Sequence, residues 1–169
     1  MDYVSYYSSP LGMLTIASDG LSITGLWMEG QRHFGRTLST DTQPGDARPE
    51  ILEAKHFLDQ YFAGGSEPVT GISLAPEGTE FQKLIWNLLL QIPYGKTCTY
   101  AELASLAAAH MGKVSMSSRA VGNAVGRNPI SILIPCHRVI GAGGSMTGYS
   151  GGLERKQFLL RLESSMKKC

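Results

Sequence analysis

Cysteine is scarce in this 169-residue chain: Cys98, Cys136 and Cys169 are the only three, and none precedes Cys98. An odd number cannot all pair within one chain, which argues against a disulfide framework. The opening residues Met1-Asp2-Tyr3-Val4-Ser5 put no basic region ahead of an apolar stretch, so no secretion signal is expected. Together these absences predict reduced thiols and a cytoplasmic protein. No apolar run is long enough to cross a bilayer, so no membrane partner is expected. No second Cys or His stands at ligand spacing from Cys136, so no metal is expected there. Residues 141–152 hold six glycines in twelve positions but lack the Gly-Lys-Ser/Thr ending of a phosphate loop, which argues against nucleotide binding. Internal repeats and low-complexity stretches are missing too.

What remains is ordinary in bulk and uneven in detail. A hydrophobic fraction of 43% and a charged fraction of 17% are those of a soluble globular protein. The length suffices for one core or two small domains. The net charge of +1 conceals an asymmetry: residues 1–79 carry 4 Lys/Arg against 10 Asp/Glu, or −6, and residues 80–169 carry 11 against 4, or +7. An acidic half joined to a basic half predicts that the second meets a polyanion. Lys167 and Lys168 supply +2 of that charge as a solvated tail, and the remaining +5 still points to nucleic acid.

The first half reads as a small α+β unit. Residues 11–18 and 21–28 are apolar-rich strands joined at Asp19-Gly20, a strong hairpin pair. Residues 36–49 are polar and read as a loop. Ile51, Ala54, Leu58, Tyr61 and Phe62 follow helical spacing, which Gly64-Gly65 ends. Residues 69–74 form a candidate strand, and residues 75–78 a domain boundary. The predicted domains are therefore 1–78 and 79–169. The second reads as mostly α. Thr79 with Gln82, and Thr99 with Glu102, are capping boxes ahead of apolar runs. Ser117 or Ser118 can cap a third helix, from Arg119 to about Gly126, closed by Asn128-Pro129. The last two helices make a helix-turn-helix candidate, although any pair of packed helices gives the same pattern. A final helix covers residues 153–163 and presents Leu153, Leu159, Leu160 and Leu162.

Chemistry concentrates at Cys136-His137-Arg138, just after a short apolar segment. The thiolate is the nucleophilic form of cysteine, neighbouring cations favour it, and a histidine can take the thiol proton. Adjacent side chains often diverge, so a water could be needed between Cys136 and His137. On the residues alone, a structural cysteine beside a surface histidine is an equal alternative.

The run from Asn128 to Ile140, Asn-Pro-Ile-Ser-Ile-Leu-Ile-Pro-Cys-His-Arg-Val-Ile, closely resembles the active-site signature of the O6-alkylguanine-DNA alkyltransferases, in particular bacterial members without an added zinc-binding domain. Phe81-Gln82, Ile92-Pro93-Tyr94-Gly95, Thr99-Tyr100, Thr147-Gly148-Tyr149-Ser150-Gly151-Gly152-Leu153 and Leu159-Leu160-Arg161-Leu162-Glu163 are similar to that family in the same order. The resemblance is strong from about Thr79 to Glu163 and loose before it. It implies a ribonuclease H-like N-terminal domain, with a small antiparallel sheet and a helix, ahead of an α domain with a helix-turn-helix. It implies irreversible, one-for-one transfer of an alkyl group from O6-alkylguanine, with O4-alkylthymine as a second substrate, to Cys136. His137 would act as base through a water and Glu163 would orient it, the logic of a nucleophile–base–orienter triad. Tyr100 would donate to the guanine ring, Ser150 would hydrogen-bond near O6, and Tyr149 would line the pocket. The carbonyls of Cys136 and Val139 would accept from the guanine amino group, and Asn128 would brace the active-site loop against the recognition helix. Arg119 would enter the base stack as the nucleotide flips out. Ser118, Ala120 and Gly122 would let that helix approach the minor groove of double-stranded DNA closely. The resemblance implies a monomer with no cofactor and no zinc.

Two features depart from the family pattern. The connection from Tyr100 to Arg119 is longer than usual, and Ser131 stands where some relatives have proline beside the pocket. Two rival functions are a non-catalytic alkyl-damage-binding protein, in which the reactive cysteine is replaced, and a Cys-His hydrolase, which would turn over.

Overall fold

In the first half the chain folds as a sheet with one helix laid across it. The computed structural model describes residues 1–165; Lys167, Lys168 and Cys169 lie outside the described residues. Strands β1 (Asp2–Ser9), β2 (Gly12–Ser18) and β3 (Ile23–Met28) pair antiparallel in sequence order. The hairpin at Asp19-Gly20 forms as its chemistry dictates: Asp19 Oδ1 accepts from the amides of Leu21 (2.9 Å) and Ser22 (2.8 Å), and Gly20 takes a φ of 98°. A fourth strand, β4 (Thr42–Pro44), runs parallel to β1, so the sheet is mixed and ordered β3-β2-β1-β4. Residues 36–49 are therefore not all loop. Three exposed residues carry no alternation by which a strand could be read. β1 also escapes the pattern, because Ser5 is buried while Tyr6 faces solvent.

Helix α1 (Pro49–Phe62) starts with Pro at its first turn and buries Ile51, Ala54, Leu58 and Tyr61 on one face. The expected strand at 69–74 reduces to one bridge between Ile23 and Leu74, where Gly71 at φ 88° breaks the extended run. Both capping boxes form as read: Thr79 and Gln82 open α2 (Glu80–Leu89), and Thr99 and Glu102 open α3 (Tyr100–His110). Ser117 caps α4 (Ser118–Gly126), which packs on α3 across the connection 111–117 in a helix-turn-helix arrangement. Helix α5 (Leu153–Ser165) closes the described chain. A two-residue parallel pair, β5 (Cys98–Thr99) with β6 (Val139–Ile140), ties the start of α3 to the segment after Cys136.

The two halves share one apolar core, which includes Leu26, Met28 and Leu58 together with Leu89, Ile134 and Leu159. The outer edge of β3 is not left open. The Leu26 amide donates to Pro129 O (2.8 Å), and the Ser131 amide donates to Leu26 O (3.0 Å), so the sheet edge holds the segment leading to Cys136. Arg155 on α5 donates to Glu29 O (2.8 Å) and Leu11 O (3.2 Å). No described helix is long and apolar enough to cross a membrane.

Candidate active site

The turn that presents Cys136 is fixed by Asn128. This buried side chain accepts from the Ile130 amide (3.0 Å) and donates to Ile134 O (2.9 Å), closing a loop at the end of α4. Within it Ile132 has a φ of 71°, a conformation that costs a β-branched residue about 1–3 kcal/mol and persists only where the surroundings impose it. Ile132 is itself buried, and the chain around it is held by Asn128 and the edge of β3. Cys136 then opens a single 3-10 turn with His137 and Arg138.

Cys136 is 2% exposed. Burial pushes its thiol up from the ordinary value, opposed by the Asn128 amide, the Lys156 ammonium and the Tyr149 hydroxyl. The Tyr149 hydroxyl faces the Cys136 and Ser131 side chains without reaching normal hydrogen-bond geometry. The resting group at neutral pH is therefore a thiol, and a base must take its proton. The cation expected to help from Arg138 comes from Lys156 instead, because Arg138 is turned toward Glu163.

His137 is fully buried and its Nε2 lies 2.5 Å from Glu163 Oε2. Burial holds the imidazole below its usual range, and Glu163 partly offsets this, so it is neutral at pH 7. Burial works against the Glu163 carboxylate too, but hydrogen bonds and charge from His137 and Arg138 outweigh it and hold Glu163 at about 2. An ionised carboxylate only accepts, so Nε2 carries the ring hydrogen and donates. The lone pair is then on Nδ1, which is buried and has no hydrogen-bond partner among the described residues. That bare acceptor, one residue from a buried thiol, is what proton removal needs. Glu163 also receives Arg138 Nε (2.8 Å) and the Gly95 amide (3.3 Å), while Arg138 Nη1 donates to Ile92 O (2.7 Å).

The structure thus brings together Cys136, His137, Glu163, Asn128 and Tyr149. Tyr100 is close enough to feel a charge on Cys136, but its hydroxyl donates to Gly148 O (3.1 Å) and Thr147 O (3.3 Å), so a donor role toward a base requires it to leave those carbonyls. Val139 O already accepts from Lys156 Nζ (2.5 Å) and keeps one lone pair. Ser150 is tied through its carbonyl to the Arg32 amide (3.0 Å). Ser118 and Arg119 are exposed at the start of α4, with Ala120 and Gly122 partly buried. A Cβ on Gly122 would meet the Tyr100 ring at 3.7 Å, so this glycine faces an aromatic neighbour as well as the groove. Tyr100, Arg119, Gly122, Tyr149 and Ser150 all line one open groove that also receives Arg32, His33 and Arg127 and holds no carboxylate among its described lining residues.

Two participants escaped the sequence. Lys156 is fully buried and donates to Val139 O and Thr147 O (2.9 Å) beneath the Tyr100 ring. Its signal is helical spacing: Lys156, Leu159 and Glu163 share one face of α5, whereas Leu153 is 46% exposed. Tyr61 of α1 donates to Glu163 Oε2 (2.6 Å), a contact between residues 102 positions apart that no local pattern announces.

Comparisons with known proteins show the family. The family model described as "6-O-methylguanine DNA methyltransferase, ribonuclease-like domain" matches residues 3–76, and "6-O-methylguanine DNA methyltransferase, DNA binding domain" matches residues 80–165. The chain is 45% identical over 161 residues to a methylated-DNA–protein-cysteine methyltransferase of Haemophilus influenzae, covering 95% of this chain and 86% of that one. It is 44% identical over 165 residues to one of Methanosarcina acetivorans, covering 96% and 99%. The crystal structure of Mycobacterium tuberculosis OGT in complex with DNA superposes with a TM-score of 0.81 at 43% identity, covering 97% of this chain and 94% of the other. The chain belongs to the 6-O-methylguanine DNA methyltransferase family.

Proposed function

We propose that this protein repairs alkylated DNA by moving the alkyl group from guanine O6 to Sγ of its own Cys136, once per molecule. The observation that carries the reading is the bare, buried Nδ1 of His137, the residue that follows the buried Cys136, on a ring fixed by an ionised Glu163. His137 takes the thiol proton, directly or through a water. Sγ attacks the alkyl carbon and a thioether forms. The C–O6 bond breaks with its electron pair left on the purine, which takes up a proton and departs as guanine, with Tyr100 as hydrogen-bond donor to the ring. A thioether offers water no easy leaving group, so the protein is consumed. Lys156, Asn128 and Tyr149 stabilise the thiolate while it exists. Reduced-thiol chemistry fits a cytoplasmic setting. Mixing excess O6-methylguanine duplex with the protein should repair one base per molecule and add one methyl to Cys136 by intact-mass analysis. Several repairs per molecule would sink the reading.

DNA would lie along the open groove, whose lining residues include Arg32, Arg119 and Arg127 without an opposing carboxylate. We place α4 in the minor groove and the lesion flipped toward Cys136, because a duplex base cannot reach a thiol that is 2% exposed. All of these residues come from one chain, so a monomer suffices. Residues 1–78 act as a supporting domain for residues 79–169. Arg119 is exposed and its side chain makes no hydrogen bond or ion pair among the described residues, which leaves its guanidinium available to fill the base stack. Arg119→Ala should slow repair of a duplex lesion by about 10-fold or more, for ~1.4 kcal/mol of lost interaction, and leave reaction with the free alkylated base unchanged. Equal slowing on both substrates would remove Arg119 from the flipping role.

A further inference from the structure

We propose that Tyr61, on the N-terminal helix α1, is a positioning residue of the transfer reaction: its phenol O–H holds the Glu163 carboxylate on which His137 is aligned. The proposal rests on the Glu163–His137–Cys136 relay described above.

The geometry is specific. Glu163 Oε2 receives two close donors, the Tyr61 hydroxyl at 2.6 Å and His137 Nε2 at 2.5 Å, while Arg138 Nε and the Gly95 amide fall on Oε1. Tyr61 is 3% exposed and Glu163 is 1% exposed, so solvent does not compete for either. The phenol is itself held. Its ring stands edge-on to Tyr94 (6.2 Å) and Phe62 (5.3 Å) and stacks with Phe57 (6.1 Å). α1 lies across the sheet, so a rigid element of the first half aims one donor at the atom that orients the base.

A donor on Oε2 withdraws charge from the oxygen that attracts the His137 proton. Tyr61 therefore does more than brace: it limits how strongly Glu163 favours the imidazolium, and keeps the ring neutral and able to accept. Other charges face this cluster. Arg138, from the turn after Cys136, contacts Glu163 through Nε and Nη2, one edge of its guanidinium. Lys156 of α5 disfavours a charged His137, the Tyr94 hydroxyl lies close enough to respond to Glu163, and the Tyr61 hydroxyl close enough to respond to Tyr149. None of these supplies a second side-chain hydroxyl to Oε2 among the hydrogen bonds of the described residues.

The test is the pH dependence of the single-turnover rate at saturating O6-methylguanine duplex, so that DNA affinity drops out. The acid limb of that profile reports protonation of His137. Tyr61→Phe keeps the ring packing and deletes one donor; the acid limb should move up by about half a pH unit or more. Replacing Tyr61 with 3-fluorotyrosine, a near-isosteric and stronger donor, should move it down. A packing role alone would lower thermal stability and leave the limb in place in both variants, which overturns the proposal. His137→Gln separates the underlying reading. If it abolishes the limb while the Tyr61 variants do not shift it, the relay stands and the Tyr61 proposal fails. If His137→Gln keeps the wild-type rate and limb, the relay fails and the proposal with it.

Discussion

Cys136→Ser should abolish alkyl transfer while duplex affinity stays within about threefold of wild type, since the proposed DNA contacts are the groove cations and not the buried acceptor. A serine hydroxyl is a far weaker acid than a thiol, and His137, held below the usual imidazole range by burial, is too weak a base to take its proton. The two described cysteines also differ in kind. Burial and the Glu102 carboxylate push Cys98 up to about 11. Cys136 is buried as well, but Asn128, Lys156 and Tyr149 work in its favour. The check is intact mass after incubation with O6-methylguanine duplex, alongside a gel-shift titration with the same DNA. A methyl still gained by the Cys136→Ser protein would place the acceptor elsewhere.

Glu163→Gln should show the second large effect, in stability. Burial disfavours this carboxylate, yet its partners hold it at about 2 against an ordinary 4.5, so the ionised group favours the folded state at neutral pH. The sign follows from a lowered value in the folded state. The contribution is complete above pH ~4.5 and disappears as pH falls through about 2, where the folded carboxylate gains its proton. Glutamine resembles the protonated acid, so the stability gap between wild type and Glu163→Gln should be widest at pH 7 and shrink steadily below pH ~4.5. Urea unfolding of both proteins at neutral pH and near pH 3 measures it. A gap that does not change with pH would mean that Glu163 contributes by shape and not by charge.

Which parts of this architecture could be read from the chain follows from where their causes lie. The capping boxes at Thr79 and Thr99 are set by residues three apart, and the Asp19-Gly20 turn by adjacent ones; all three form where the sequence places them. Cys136 and His137 are neighbours in a long motif, so the resemblance to the family lies within one contiguous stretch of chain. What could not be read depends on distance or on inverted polarity. β4 is three exposed residues that become a strand only because β1 offers an edge. Lys156 reads as a surface lysine until Val139 O and Thr147 O are brought over it. Arg138 reads as a thiol-activating cation, but a carboxylate from the last helix draws it the other way.

The pairing of Leu26 with Pro129 and Ser131 has a consequence for how reactivity arises as the chain folds. These partners are far apart in sequence, as are Tyr61 and Glu163, separated by 102 positions. Contacts of such separation carry a large loop-closure cost and form late compared with helices and tight hairpins. Until they form, the left-handed Ile132 turn is braced by Asn128 alone, without the edge of β3, and the base has no oriented carboxylate. A collapsed chain with its helices already wound would thus hold an ordinary cysteine. Base-assisted attack by Cys136, and not the bare reactivity of a thiol, is what these long-range closures supply.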